Sequence, residues 1–65
     1  MEITVNKETM VILPDFTVSN LLEQLNFSKS VAVFVNGKQL LLAEYDYYIC
    51  KENDNIKVIK PLGGG

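Results

Sequence analysis

The sequence predicts an α+β domain of two layers, with one helix laid against one face of a mixed four- to five-stranded sheet. Three features of the 65 residues lead there. A single segment carries an apolar stripe at helical spacing, Val18, Leu21, Leu22 and Leu25, at i, i+3, i+4 and i+7. Several short segments alternate apolar and polar residues or are rich in β-branched side chains, as strands are. Polar turn sequences separate them at close intervals. One amphipathic helix is enough to cover one sheet face, so the other face is expected to meet water.

Along the chain, Ile3 and Val5 alternate with Glu2, Thr4 and Asn6, which reads as a half-buried strand. Asn6-Lys7-Glu8 is a polar break suited to a hairpin. A second strand is expected over Thr9 to Leu13, with Met10 and Ile12 on one face and Val11 and Leu13 on the other; Pro14 ends it, having no N–H to donate. Thr17 is the candidate N-cap of the helix, which is expected to end near Asn26. Val31 to Val35 reads as a third strand, and Asn36-Gly37 as a type I′ hairpin turn. Lys38 to Leu42 is then the returning strand. Ala43 to Asn55 carries no clear period and closes on the turn Asn53-Asp54-Asn55. Ile56 to Lys60 is the last strand, with Pro61 beyond it. Residues 1–62 are thus expected to form the folded domain, and 63–65 a flexible glycine tail.

Composition excludes several function classes. The chain has no His, the usual general base at neutral pH, and all of its cations are Lys. Lacking Arg, it has no bidentate phosphate clamp. A net charge of −2 disfavours nucleic-acid binding. Glycines occur only at Gly37 and 63–65, so no phosphate-binding glycine loop exists. The longest apolar run, Val31 to Val35, is too short to span a membrane, as are Met10 to Leu13 and Leu40 to Ala43, and the first residues do not resemble a secretory signal. One cysteine excludes an internal disulfide and fits a reducing cytoplasm. The chain is therefore expected not to be an enzyme by itself. If it enters a reaction, it supplies a substrate group to another protein.

That group is the α-carboxylate of Gly65, at the end of an arm without Cβ atoms that fits a channel too narrow for other residues. Extended, the segment from Leu62 to Gly65 reaches roughly 10–14 Å. The plainer reading of the glycines is a frayed end.

The helix opening Thr17-Val18, the Leu21-Leu22-x-x-Leu25 core, Val33-Phe34-Val35-Asn36-Gly37, the turn before Ile56 and the ending Gly64-Gly65 stand in register over essentially the whole chain. Together they resemble the ThiS/MoaD family of sulfur carriers, which have the ubiquitin-like β-grasp fold, and most of all its thiamin-biosynthesis branch. The turn Asn53-Asp54-Asn55 departs from the Asp-Gly-Asp frequent in that family.

The resemblance implies a protein co-substrate of cytoplasmic enzymes, monomeric when free. A ThiF-like adenylating enzyme, using ATP and magnesium, activates Gly65; a persulfide donor supplies sulfur; the resulting thiocarboxylate serves a ThiG-like thiazole synthase. Gly63 and Gly64 form the arm in the partner's channel. No cofactor or metal is bound by the carrier itself. Alternatives are the same chemistry in molybdopterin synthesis, a ubiquitin-like modifier joined to target lysines, and a β-grasp interaction module whose tail is inert.

Strand alternation also suggests a docking face. If Val33, Val35, Ile56 and Val58 pack on the helix, Phe34 and Ile59 lie on the open sheet face, where ubiquitin-like proteins carry a partner-binding patch, with Leu62 beyond them. Cys50 reads as a small buried hydrophobe rather than a reactive thiol. Tyr45, Tyr47 and Tyr48 read as packing against the edge of the core. Glu44, Asp46, Glu52 and Asp54 read as solvated surface, as do Lys38, Lys57 and Lys60.

Overall fold

The computed structural model describes residues 1–61; Leu62 and Gly63 to Gly65, and with them the expected domain boundary and tail, lie outside the described residues. Five strands and one α-helix follow in the order β1 (Glu2–Val5), β2 (Glu8–Val11), α1 (Val18–Gln24), β3 (Ala32–Val35), β4 (Lys38–Gln39) and β5 (Asn55–Ile59). The sheet order is β2-β1-β5-β3-β4. The last strand thus lies at the centre, parallel to β1 and antiparallel to β3.

Two tight hairpins set the register. In β1–β2, Val5 faces Glu8 across Asn6 and Lys7, whose φ angles are 49° and 71°. In β3–β4, Val35 faces Lys38 across Asn36 (φ 52°) and Gly37 (φ 85°). Positive φ at both central residues is the requirement of a type I′ turn, whose twist matches that of the strands. Gly37 meets it without a Cβ penalty.

Every orphan N–H at the start of α1 has an identifiable acceptor. Thr17 Oγ1 accepts from Asn20 N at 3.1 Å, while Asn20 Oδ1 accepts from Thr17 N at 3.0 Å, closing a capping box. The N–H groups of Val18 and Ser19 donate to the carbonyls of Tyr48 and Tyr45 at 3.0 and 2.9 Å. The helix stops because Asn26 takes φ 61°; Phe27 N then reaches Leu22 O at 2.8 Å and Asn26 N reaches Glu23 O at 3.2 Å, a Schellman ending with Asn in the usual place of Gly.

Val18, Leu21 and Leu22 from the helix share one buried cluster with Ile3, Val5, Val33, Val35, Ile56 and Val58 from the sheet. The expected alternation in the second strand is also present: Ile12 is buried, whereas Val11 and Leu13 are exposed.

Four expectations are corrected. The second strand ends at Val11, not Leu13, with one further bond from Ile12 N to Met1 O at 2.8 Å. β4 ends at Gln39, not Leu42: Leu40 still bonds Val33 O at 2.9 Å and is buried, but Leu41 then caps a 3-10 turn over Leu42–Glu44, its N–H held by Glu44 Oε1 at 2.8 Å. Three successive leucines have no period by which to distinguish these conformations. Tyr47 does not pack against the core; it is 81% exposed, while Tyr45 is buried and donates its hydroxyl to Val31 O at 2.8 Å. Asp54 is not solvated surface; it is 5% exposed.

Candidate functional site

The sheet face turned away from α1 carries the candidate docking site. In the β3–β5 ladder Phe34 faces Lys57 and Ala32 faces Ile59, so Phe34 and Ile59 are diagonal neighbours on the outer face. Phe34 is half-buried and Ile59 is 44% exposed. They line a shallow groove together with Lys57, Gly37 and the turn residues Asn6 and Lys7. Ile56 closes its floor, with its side chain committed to the core. The strand alternation had placed Phe34 and Ile59 together; the contribution of both hairpin turns to the same groove was not foreseen.

Two asparagines hold those turns against β5. Asn6 Oδ1 accepts from Val58 N at 2.8 Å, extending the β1 edge past the last paired residue. Asn36 Oδ1 accepts from Asn55 N at 2.9 Å, and its Nδ2 donates to Asp54 Oδ1 at 2.9 Å. Asp54 Oδ2 in turn accepts from Lys51 N at 2.9 Å and from the Tyr48 hydroxyl at 3.0 Å. This carboxylate therefore ties one end of the groove to the irregular segment that crosses toward the helix. The Asn36-Gly37 pair predicted the turn but not the side-chain network, because its partners lie about twenty residues away.

The network leaves its marks on two neighbouring groups. Burial, then the hydrogen bond to Asp54 and its charge, push the Tyr48 hydroxyl from 10.0 up to about 12. Burial, followed by the Asp54 charge, pushes the Cys50 thiol from 9.0 up to about 11. Cys50 is fully buried and free, and stays a neutral thiol at pH 7. Glu44, Asp46 and Glu52 are exposed, and no cluster of potential metal ligands occurs among the described residues. No helix among them is long and apolar enough to cross a membrane.

The model of the ThiS family matches residues 1–65, the entire chain. The chain belongs to the ThiS family. No curated protein sequence matches it significantly. Two solved structures are similar to this ThiS-family chain over its full length. One is the crystal structure of thiamine biosynthesis protein ThiS from Geobacter metallireducens, 28% identical, covered over 100% of both chains with a TM-score of 0.85. Another is the solution structure of a thiamine biosynthesis protein from the same organism, 30% identical, with 100% of this chain and 88% of that one covered and a TM-score of 0.80. The mixed sheet on one helix is thus a ThiS-type β-grasp fold. Of the site residues expected for a ThiS-family chain, Phe34 and Ile59 share the open face, while Leu62, Gly63, Gly64 and Gly65 lie outside the described residues.

Proposed function

We propose that this protein is a sulfur carrier for thiazole formation in thiamin biosynthesis, acting through the α-carboxylate of Gly65. The full-length family match carries this reading, supported by the thiamine-biosynthesis proteins of the same fold. A chain-terminal carboxylate has a reference pKa of about 3.3–3.7, so at neutral pH it is ionised and a poor acceptor for a nucleophile. A ThiF-like enzyme with ATP and magnesium joins it to AMP, releasing pyrophosphate. The terminal sulfur of a persulfide donor then attacks the acyl carbon and AMP leaves, giving an acyl disulfide. A reducing thiol cleaves its S–S bond, which releases the thiocarboxylate and leaves the donor sulfur in a disulfide with that thiol. The thiocarboxylate, a good nucleophile, passes to a ThiG-like thiazole synthase. The carrier is in this reading a cytoplasmic co-substrate rather than an enzyme. The cations that neutralise the nucleotide phosphates belong to the activating partner.

In this reading the Phe34–Ile59 groove, together with Leu62, docks on the partners while Gly63 and Gly64 pass into the channel. Phe34→Glu is expected to weaken binding to the adenylating enzyme about tenfold or more, since a charge in an apolar contact must be desolvated, while the melting temperature changes little. Titration calorimetry beside thermal unfolding checks this; a collapse in melting temperature would assign Phe34 to the core instead.

The carrier reading is tested by intact-mass analysis after incubation with ATP, magnesium, a ThiF-like enzyme, a persulfide donor and a thiol reductant. One oxygen is expected to be replaced by sulfur on the C-terminal peptide. Localisation is required because oxidation of Met1, Met10 or Cys50 adds the same nominal mass. An unchanged C-terminal peptide, with a control carrier converted alongside, would reject the reading.

A further inference from the structure

The groove on the open sheet face has a charge that the chain as a whole does not. The sequence has eight carboxylate side chains against six lysines, yet the groove lining holds Lys7 and Lys57 and no acidic residue. The one ion pair among the described residues, Lys29–Asp46, joins neither lysine.

Lys7 stands where local conformation argues against it. It is the second central residue of a two-residue hairpin and takes φ 71°, a position that glycine fills without steric cost. The β3–β4 hairpin has the same two-residue geometry and places Gly37 there. A side chain kept in a disfavoured backbone region is a sign of use when it also faces a candidate site. Lys7 does: it lines the groove together with Gly37, Phe34, Lys57 and Ile59.

We propose that Lys7 and Lys57 set the specificity of this groove for a protein surface that presents an apolar side chain flanked by carboxylates. The inference rests on the reading of the groove as the docking face and names the chemistry of what docks there. The apolar floor supplies contact, and the two ammonium groups steer and orient an acidic rim, as charges around an interface do. An apolar surface ringed by lysines is correspondingly rejected.

The test separates this inference from the carrier reading. A synthetic peptide with one Phe between aspartates, and its counterpart with lysines, are titrated into the full chain while backbone amide signals are followed by NMR. The acidic peptide is expected to shift the amides of Lys7, Phe34, Lys57 and Ile59; the basic peptide is not. Lys7→Gly and Lys57→Gln are each expected to weaken the acidic peptide about three- to tenfold, more at low salt than at high, whereas Lys29→Gln leaves it unchanged. Lys7→Gly is also expected to unfold at higher denaturant concentration than the parent, so weaker binding cannot be attributed to a damaged fold. Equal response to both peptides, shifts elsewhere, or unchanged binding in both variants overturns the inference. Failure of the chain to accept sulfur in the mass experiment overturns the carrier reading and leaves this titration to decide the groove.

Discussion

Replacing Gly65 by alanine is expected to leave the fold intact and to slow adenylation by about 100-fold or more, the scale of loss when a reacting group is misplaced by about 1 Å. Among the described residues the buried core runs from Ile3 to Val58. The proposed role of the last residue is to bring a bare carboxylate to the α-phosphorus of ATP inside a partner. On that proposal, an added Cβ would meet the wall of the partner's channel. The measurement is single-turnover release of pyrophosphate with a ThiF-like enzyme, beside thermal unfolding of both chains. Activation at the parent rate would mean that the channel does not select for glycine. Removing Gly64 and Gly65 sharpens the result: a sulfur carrier loses all acceptance, whereas a plain interaction module keeps its function.

The second large effect concerns stability. Asp54→Ala is expected to destabilise the domain by about 3 kcal/mol or more, since hydrogen bonds to a charged acceptor contribute about 1.5–3 kcal/mol each and their donors would be left behind. Three donors lose their acceptor together: Asn36 Nδ2, Lys51 N and the Tyr48 hydroxyl. The site is 5% exposed, so water cannot simply replace the carboxylate. Asp54→Asn is expected to lose less, because one oxygen remains. It cannot restore the network, since its amide would confront a donor on one side or the other. Asn36 cannot turn to relieve this without giving up Asn55 N. For a small domain, whose total stability is about 5–15 kcal/mol at most sizes, such a loss populates the unfolded chain measurably. Urea unfolding of the three proteins decides it. A loss under about 1 kcal/mol for Asp54→Ala would show the carboxylate to be solvated after all.

How much of this was legible in the sequence follows from the range of the signals. The helix, its Thr17 cap, both hairpins and the Phe34–Ile59 face were all readable, because each depends on residues within a few positions of one another or on strand alternation. Asp54 was not. An aspartate in an Asn-Asp-Asn turn is ordinarily at the surface, and its burial depends on Tyr48 and Asn36 arriving from elsewhere. Tyr47 was misread with its neighbours because two of three tyrosines in a short irregular segment do pack, and no period marks the third. The ends of β2 and β4 were overextended for a related reason: apolar residues continue past the point where pairing stops. The proposed glycine-tail chemistry rests on two separate signals, a terminal carboxylate on an arm without Cβ atoms and the family resemblance, since three glycines alone do not distinguish a working arm from an idle one.

The placement of β5 between β1 and β3 has a mechanical consequence. β1 and β5 run parallel, so drawing the chain beyond Ile59 forward while the N-terminal strand is held loads their joint in shear. The bonds from Thr4 N to Asp54 O, from Asn6 N to Ile56 O and from Val58 N to Asn6 Oδ1 would then bear tension together instead of opening one at a time like a zip. Traction on the segment after β5 is therefore resisted along the strongest axis of the sheet, and the domain can serve as a rigid handle for whatever its far end is drawn into.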